Sequence, residues 1–131
     1  ALAGANSATG VEGMLTAADV SSLDLAGLEW AVLSSCGTGL GRIESGEGVF
    51  GLRRAFELAG ARTVIVSLWP ADEEWTLQWM RALYRTRFAE RAGTAEAVQA
   101  ATRTVLAERR RRHLSPHPYF WGAFVAVGDW R

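Results

Sequence analysis

The sequence predicts an α/β domain built on a mainly parallel sheet with helices on its faces. Two apolar runs of strand length, "LEWAVLSSC" at 28–36 and "RTVIVSLW" at 62–69, lack the alternation of a strand with one wet face, so both faces of each are expected to be covered. Between and beyond them lie stripes of apolar residues at helical spacing. The resulting order, strand, helix, strand, two helices, strand, calls for the long crossovers that join parallel neighbours.

The elements follow in order. Thr16, with Asp19 three residues on, opens a short helix as a capping box with Asp in the usual Glu position. The first strand is expected over 29–35. Glycines 37, 39, 41, 46, 48 and 51 make the next stretch a loop, before Leu52, Ala55, Phe56 and Ala59 set out a helix that stops at Gly60. The second strand is expected over 63–68, closed by Pro70. Trp79, Met80, Leu83, Tyr84 and Phe88 mark one amphipathic helix, and Val98, Ala101 and Val105 another, with Gly93 and Thr94 as break and cap. "WGAFVAVGDW" is the last strand.

At 131 residues and 49% apolar composition, the chain has material for one globular core, and a single domain over 1–131 is expected. Its 14 basic and 14 acidic residues cancel, so no global field recruits nucleic acid or an anionic membrane. The run Arg109–Arg112 reads as a solvated helix end. No apolar stretch approaches the roughly 20 residues that span a bilayer, and a lone cysteine cannot form an internal disulfide. A reducing, cytoplasmic setting is the expectation. No metal or organic cofactor is called for.

Chemistry in parallel sheets gathers beyond the carboxyl ends of the strands. The first strand leads to Cys36, and the second to Trp69, Pro70, Asp72, Glu73 and Glu74. If the strands are neighbours, the thiol and the acids share one rim. A lone cysteine is most often core packing. Here "GTG" follows it, and bare backbone amides beside a thiol can hold an anion and lower its pKa. Asp72 also suits the N-cap of the following helix, whose first turn would carry Glu73 and Glu74.

Two chemistries compete for the thiol. "CGTGLGR" satisfies the C-x5-R pattern of the tyrosine phosphatases, with Arg42 placed for bidentate phosphate binding. Its flanks depart from that pattern: Ser35 precedes the cysteine where a histidine is usual, and "SGEG" postpones the helix that should face the phosphate. More residues are accounted for by "LSSCGTGLGRIESGEGVFGLRRAFELAGARTVIVSLWPADEE", with "LAGAN" and "MLTAADVSSLDL" before it and "HPYFWGAFVAVGDWR" at the end. Together these closely resemble the CHAT domain, a caspase-like domain often attached to tetratricopeptide repeats and grouped with caspases and separase. Ser35 and Gly37 replace the alanine and glutamate that usually flank the family's cysteine.

The resemblance implies a three-layer caspase-like sandwich lacking its N-terminal strands. It implies a cysteine endopeptidase in which Cys36 is the nucleophile and Gly37 lies in the oxyanion loop. The histidine base is expected upstream of Ala1, and Asp72 and Glu73 fall where a carboxylate can line the pocket for a basic residue before the scissile bond. The implied partners are a protein or peptide substrate, and tetratricopeptide repeats or other domains of a parent chain. His113 and His117 lie beyond the last helix, away from any central strand end, and are expected to be structural, as are Trp121 and Trp130. A proteolytically silent interaction domain is the alternative, and the C-x5-R phosphatase the weaker one.

Overall fold

The computed structural model describes residues 15–34, 48–129 and 131. Helix α1 (Ala17–Ser21) begins with the expected capping box: the Thr16 hydroxyl accepts from Asp19 N, and an Asp19 carboxylate oxygen accepts from Thr16 N at 2.9 Å. The Thr16 hydroxyl also donates to Asp19 Oδ2 at 2.6 Å, and this bond, followed by that from Thr16 N, holds the Asp19 carboxyl below the usual carboxylate range. Strand β1 (Trp30–Leu33) follows, then helix α2 (Gly48–Leu58). Gly60 takes φ 105°, the left-handed conformation that ends a helix, and a Cβ there would lie 3.0 Å from the Ala26 backbone. The chain then enters β2 (Thr63–Ser67), buried throughout.

β1 and β2 are adjacent and parallel, in the register Trp30↔Thr63 to Leu33↔Val66, as the sequence predicts. The alternation of β2 feeds two cores. Val64 and Val66 pack with Ala31 and Ala61, against Leu28, Leu33 and Phe56. Ile65 faces the other way, into a cluster of Trp75, Trp79, Leu83, Ala97, Ala101, Val105 and Phe124 from α3 (Glu73–Tyr84), α4 (Thr94–Arg111) and β3 (Phe124–Gly128).

The sheet is mixed, which corrects the mainly parallel expectation: β3 pairs antiparallel with β2, from Ser67↔Phe124 to Thr63↔Gly128. The cause is the helix pair. Glu74 meets Arg112, Trp75 meets Arg109, and Trp79 Nε1 donates to the Thr102 hydroxyl, so α4 runs back along α3. The hairpin therefore returns the chain to the end of the sheet that it left. One crossover helix would have delivered β3 to the opposite end and made it parallel.

Two further corrections concern the helices. α3 runs into a π-helical segment, Arg85–Ala89, whose wider turn breaks the 3.6-residue phase. Phe88, expected on the buried stripe, is consequently 64% exposed and stacks at 6.0 Å on Tyr84, which is also exposed although it precedes the π segment. At α4 the N-cap is Gly93, whose N–H donates to Glu96, while Thr94 is buried and accepts from Trp30 Nε1. No helix among the described residues is long and apolar enough to cross a membrane.

Gly128 closes β3 at φ 119°, and a Cβ on it would stand 2.2 Å from the Arg62 carbonyl oxygen. Gly128→Ala is expected to cost at least about 2 kcal/mol, from left-handed strain plus displacement of the Arg62–Thr63 backbone. Urea denaturation checks it; an unchanged midpoint would contradict the close approach.

Candidate functional site

The antiparallel return brings residues 113–123 to the carboxyl rim of β2, and a web of bonds joins them to the β2–α3 loop. Leu68 N donates to Ala123 O at 2.7 Å, and the Ser67 hydroxyl donates to Trp69 O. Trp69 Nε1 donates to Tyr119 O at 3.0 Å, and the Tyr119 hydroxyl donates to Pro70 O at 3.1 Å. The two rings stack at 6.3 Å with 15° between their planes. Tyr119 stays 45% exposed, so the pair forms part of the rim surface.

Asp72 sits immediately beyond this clamp. Its Oδ1 accepts from Glu74 N at 3.0 Å and Trp75 N at 3.3 Å, so the capping role expected from sequence is present. Both bonds fall on Oδ1; among the described residues, Oδ2 has no donor. Glu73 is exposed in the first turn and makes no ion pair among the described residues. Glu74 is tied to Arg112 at 2.8 Å. Cys36, Gly37 and Arg42 lie outside the described residues, as does Trp130. The last described residue of the first strand's run is Ser34, two before Cys36 in sequence.

His117 has a structural place: its Nδ1 accepts from Tyr119 N and caps the 3-10 turn Pro118–Phe120. Trp121 packs against the larger core, and its Nε1 donates to Pro116 O. Arg109 departs from the solvated-run expectation. It is 3% exposed, with its guanidinium carbon 3.6 Å from the Phe120 centroid and 4.7 Å from that of Trp75, and Nε donating to Ser115 O. The sequence carried the signal: Arg109 continues the spacing of four set by Ala97, Ala101 and Val105. Among the described residues, no three of His, Cys, Asp and Glu gather as a metal site.

Next to it, Glu108 accepts from Arg111 and Arg112, and these bonds pull its carboxyl down to about 2. A depressed carboxylate stabilises the fold above its unfolded value near 4.5, and that contribution is lost as pH falls through about 2. The end of α4 is expected to keep its helical order from neutral pH to about pH 4.5 and to loosen progressively from there towards pH 2, with salt weakening the effect because the group is exposed. Amide exchange at residues 109–113 across that range checks it; loosening complete before pH falls below 4.5 would contradict it.

A parallel strand pair with helices, and with the β2–α3 loop tied to residues 119–123 at the carboxyl rim of β2, defines the described part of the protein as an α/β fold. The chain belongs to the CHAT domain family, whose model matches residues 1–129. It is similar to tetratricopeptide repeat protein 28 of Homo sapiens and of Mus musculus, at 32% identity over 116 residues in each case. That match takes in 88% of this chain but only 4% of the length of either relative. No solved structure matches.

Asp72→Asn separates the two roles of this side chain. Asparagine caps a helix about as well as aspartate, whereas alanine costs about 1 kcal/mol. The asparagine variant is expected to melt with the native chain, and Asp72→Ala to lose about 1 kcal/mol. Equal losses in the two variants, read by thermal denaturation, would show that the charge and not the cap supports the fold.

Proposed function

We propose that this chain carries the nucleophile-bearing part of a caspase-like cysteine endopeptidase, on a sandwich of helices either side of the sheet. The observation that carries the reading is the parallel register of β1 and β2. With Leu33 opposite Val66, the run leading to Cys36 and the loop leading to Asp72 leave the sheet at the same end. In a parallel sheet that end is where substrate binds.

In this mechanism the Cys36 thiolate attacks the peptide carbonyl, the amine leaves with a proton, and water hydrolyses the acyl-enzyme. Gly37 N–H assists at the oxyanion. The proton is handled by the histidine base that the family resemblance implies; His117 is already engaged, its Nδ1 accepting from Tyr119 N. Asp72 Oδ2 or the Glu73 carboxylate pairs with a basic side chain before the scissile bond. The substrate is a protein or peptide, and a thiol that must stay reduced suits a cytoplasmic compartment. A non-catalytic interaction domain is the second reading. It is favoured by Asp72, whose capping bonds account for that residue without a substrate.

The test takes a protein that carries the complete family domain and presents it with a peptide library. Cleavage after Arg or Lys is expected, with the basic preference reduced in Asp72→Asn or in Glu73→Gln. A library left intact by a folded domain, under conditions in which its partner repeats engage, would overturn the peptidase reading in favour of the interaction domain.

A further inference from the structure

Asp72 and Glu73 are both exposed, so packing of their own side chains does not set their place. The backbone on either side of them does. Downstream, the Asp72 cap and the buried Trp75 anchor the first turn of α3. Upstream, Leu68 N is tied to Ala123 O at 2.7 Å, and the Pro70 carbonyl accepts from the Tyr119 hydroxyl at 3.1 Å. Only Ala71 stands between Pro70 and Asp72. The proline ring locks its own φ, so a held Pro70 carbonyl gives the chain one direction of entry into the helix.

Tyr119 is itself braced. Its N–H donates to His117 Nδ1 at 3.2 Å, its carbonyl accepts from Trp69 Nε1 at 3.0 Å, and its ring stacks on Trp69 and meets Phe120 edge-on at 5.3 Å. Its hydroxyl then carries that rigidity across to the β2–α3 loop. We propose that Tyr119 is a positioning residue for substrate selection: through Pro70 it holds the acid-bearing loop so that a carboxylate of Asp72 or Glu73 meets a basic side chain in one geometry. The inference rests on the peptidase reading above. A charge-assisted pair is directional. A loop free to swing at Pro70 therefore keeps its negative charge and loses the alignment, and selection for a basic side chain falls.

The test uses a protein carrying the complete family domain and two peptides, acetyl-Ala-Ala-Arg and acetyl-Ala-Ala-Gln, each joined to aminomethylcoumarin. Tyr119→Phe keeps the ring stack and removes the hydroxyl. It is expected to lower the ratio of kcat/KM for the arginine peptide over the glutamine peptide by a factor of about three to ten, the size of one hydrogen bond. The loss should fall in KM, because the pair forms in the bound substrate as well as in the transition state. General loosening of the fold would lower both peptides alike. With Asp72→Asn and Glu73→Gln already in place the ratio is expected not to move further, since the groups being positioned are gone. Trp69→Phe, which removes the indole donor to Tyr119 O, is expected to act in the same direction and replaces Tyr119→Phe if that variant does not fold. Amide exchange at residues 71–73 reads the loop without catalysis and is expected to quicken in Tyr119→Phe. A native domain that cleaves neither peptide overturns the peptidase reading and the specificity role with it. Cleavage with an unchanged ratio, a ratio that falls as far without the two acids, or unchanged exchange overturns the role of Tyr119 alone.

Discussion

On the proposed peptidase reading, Cys36→Ala in a protein carrying the complete family domain is expected to abolish peptide cleavage, lowering turnover by a factor on the order of 10⁶, as removal of a nucleophile does where it acts together with its base. Far-UV circular dichroism of the variant is expected to match that of the native protein. An unassisted cysteine is only a few per cent thiolate at neutral pH, and without a base nothing protonates the leaving amine. For that reason the chain of 131 residues alone is expected to show no turnover, general acid-base assistance being worth about 10² to 10⁴. The measurement compares the complete domain, its Cys36→Ala variant and the 131-residue chain on one peptide substrate. Cleavage that survives in Cys36→Ala would place the nucleophile elsewhere.

Trp79→Ala is expected to destabilise the fold by about 3 to 5 kcal/mol, the range for deleting a large buried aromatic side chain. Trp79 is 1% exposed, stacks on Phe124 with centroids 4.4 Å apart, and donates from Nε1 to the Thr102 hydroxyl at 3.2 Å. It thereby joins α3, α4 and β3 at one point. Truncation would open a cavity and leave Thr102 without its indole donor. Urea denaturation monitored by far-UV circular dichroism reads the loss, with Trp79→Phe expected to recover much of the packing but not the hydrogen bond. A loss below about 1 kcal/mol would mean that the two helices are held on the sheet by other contacts.

What the sequence disclosed depended on the range of the interaction involved. The strand at 63–68 was legible because Val64, Ile65 and Val66 form an unbroken apolar run that only a doubly covered strand requires, whereas the one expected over 29–35 is described as Trp30–Leu33, with Ala31 alone in it buried. The Thr16 box and the Asp72 cap were legible because a cap is settled within three residues. The direction of β3 was not, because it follows from α3 and α4 folding back on each other, which no local pattern states. Phe88 was misplaced because one π turn, invisible in composition, shifts every later residue around the helix. Arg109 was misread because its neighbours Arg110, Arg111 and Arg112 make it look solvated, although its spacing from Val105 puts it on the buried stripe. Beyond β2 the sequence disclosed the Asp72 cap, while the Trp69–Tyr119 clamp joins residues 50 apart and leaves no local trace.

The late return of β3 bears on how the protein is made. β2 is the middle strand, and the partner for one of its edges is not translated until residues 124–128, about 60 residues after β2 itself. At about 5 to 20 residues per second, a ribosome needs on the order of 3 to 12 s to cover that distance. Throughout that interval Val64, Ile65 and Val66 offer an unpaired apolar edge to any neighbouring nascent chain. The loop bearing Asp72 likewise waits for Tyr119 to emerge before it is held. Crowded polysomes and slow codons after residue 67 should therefore lower the yield of soluble protein more than the stability of the finished fold would suggest.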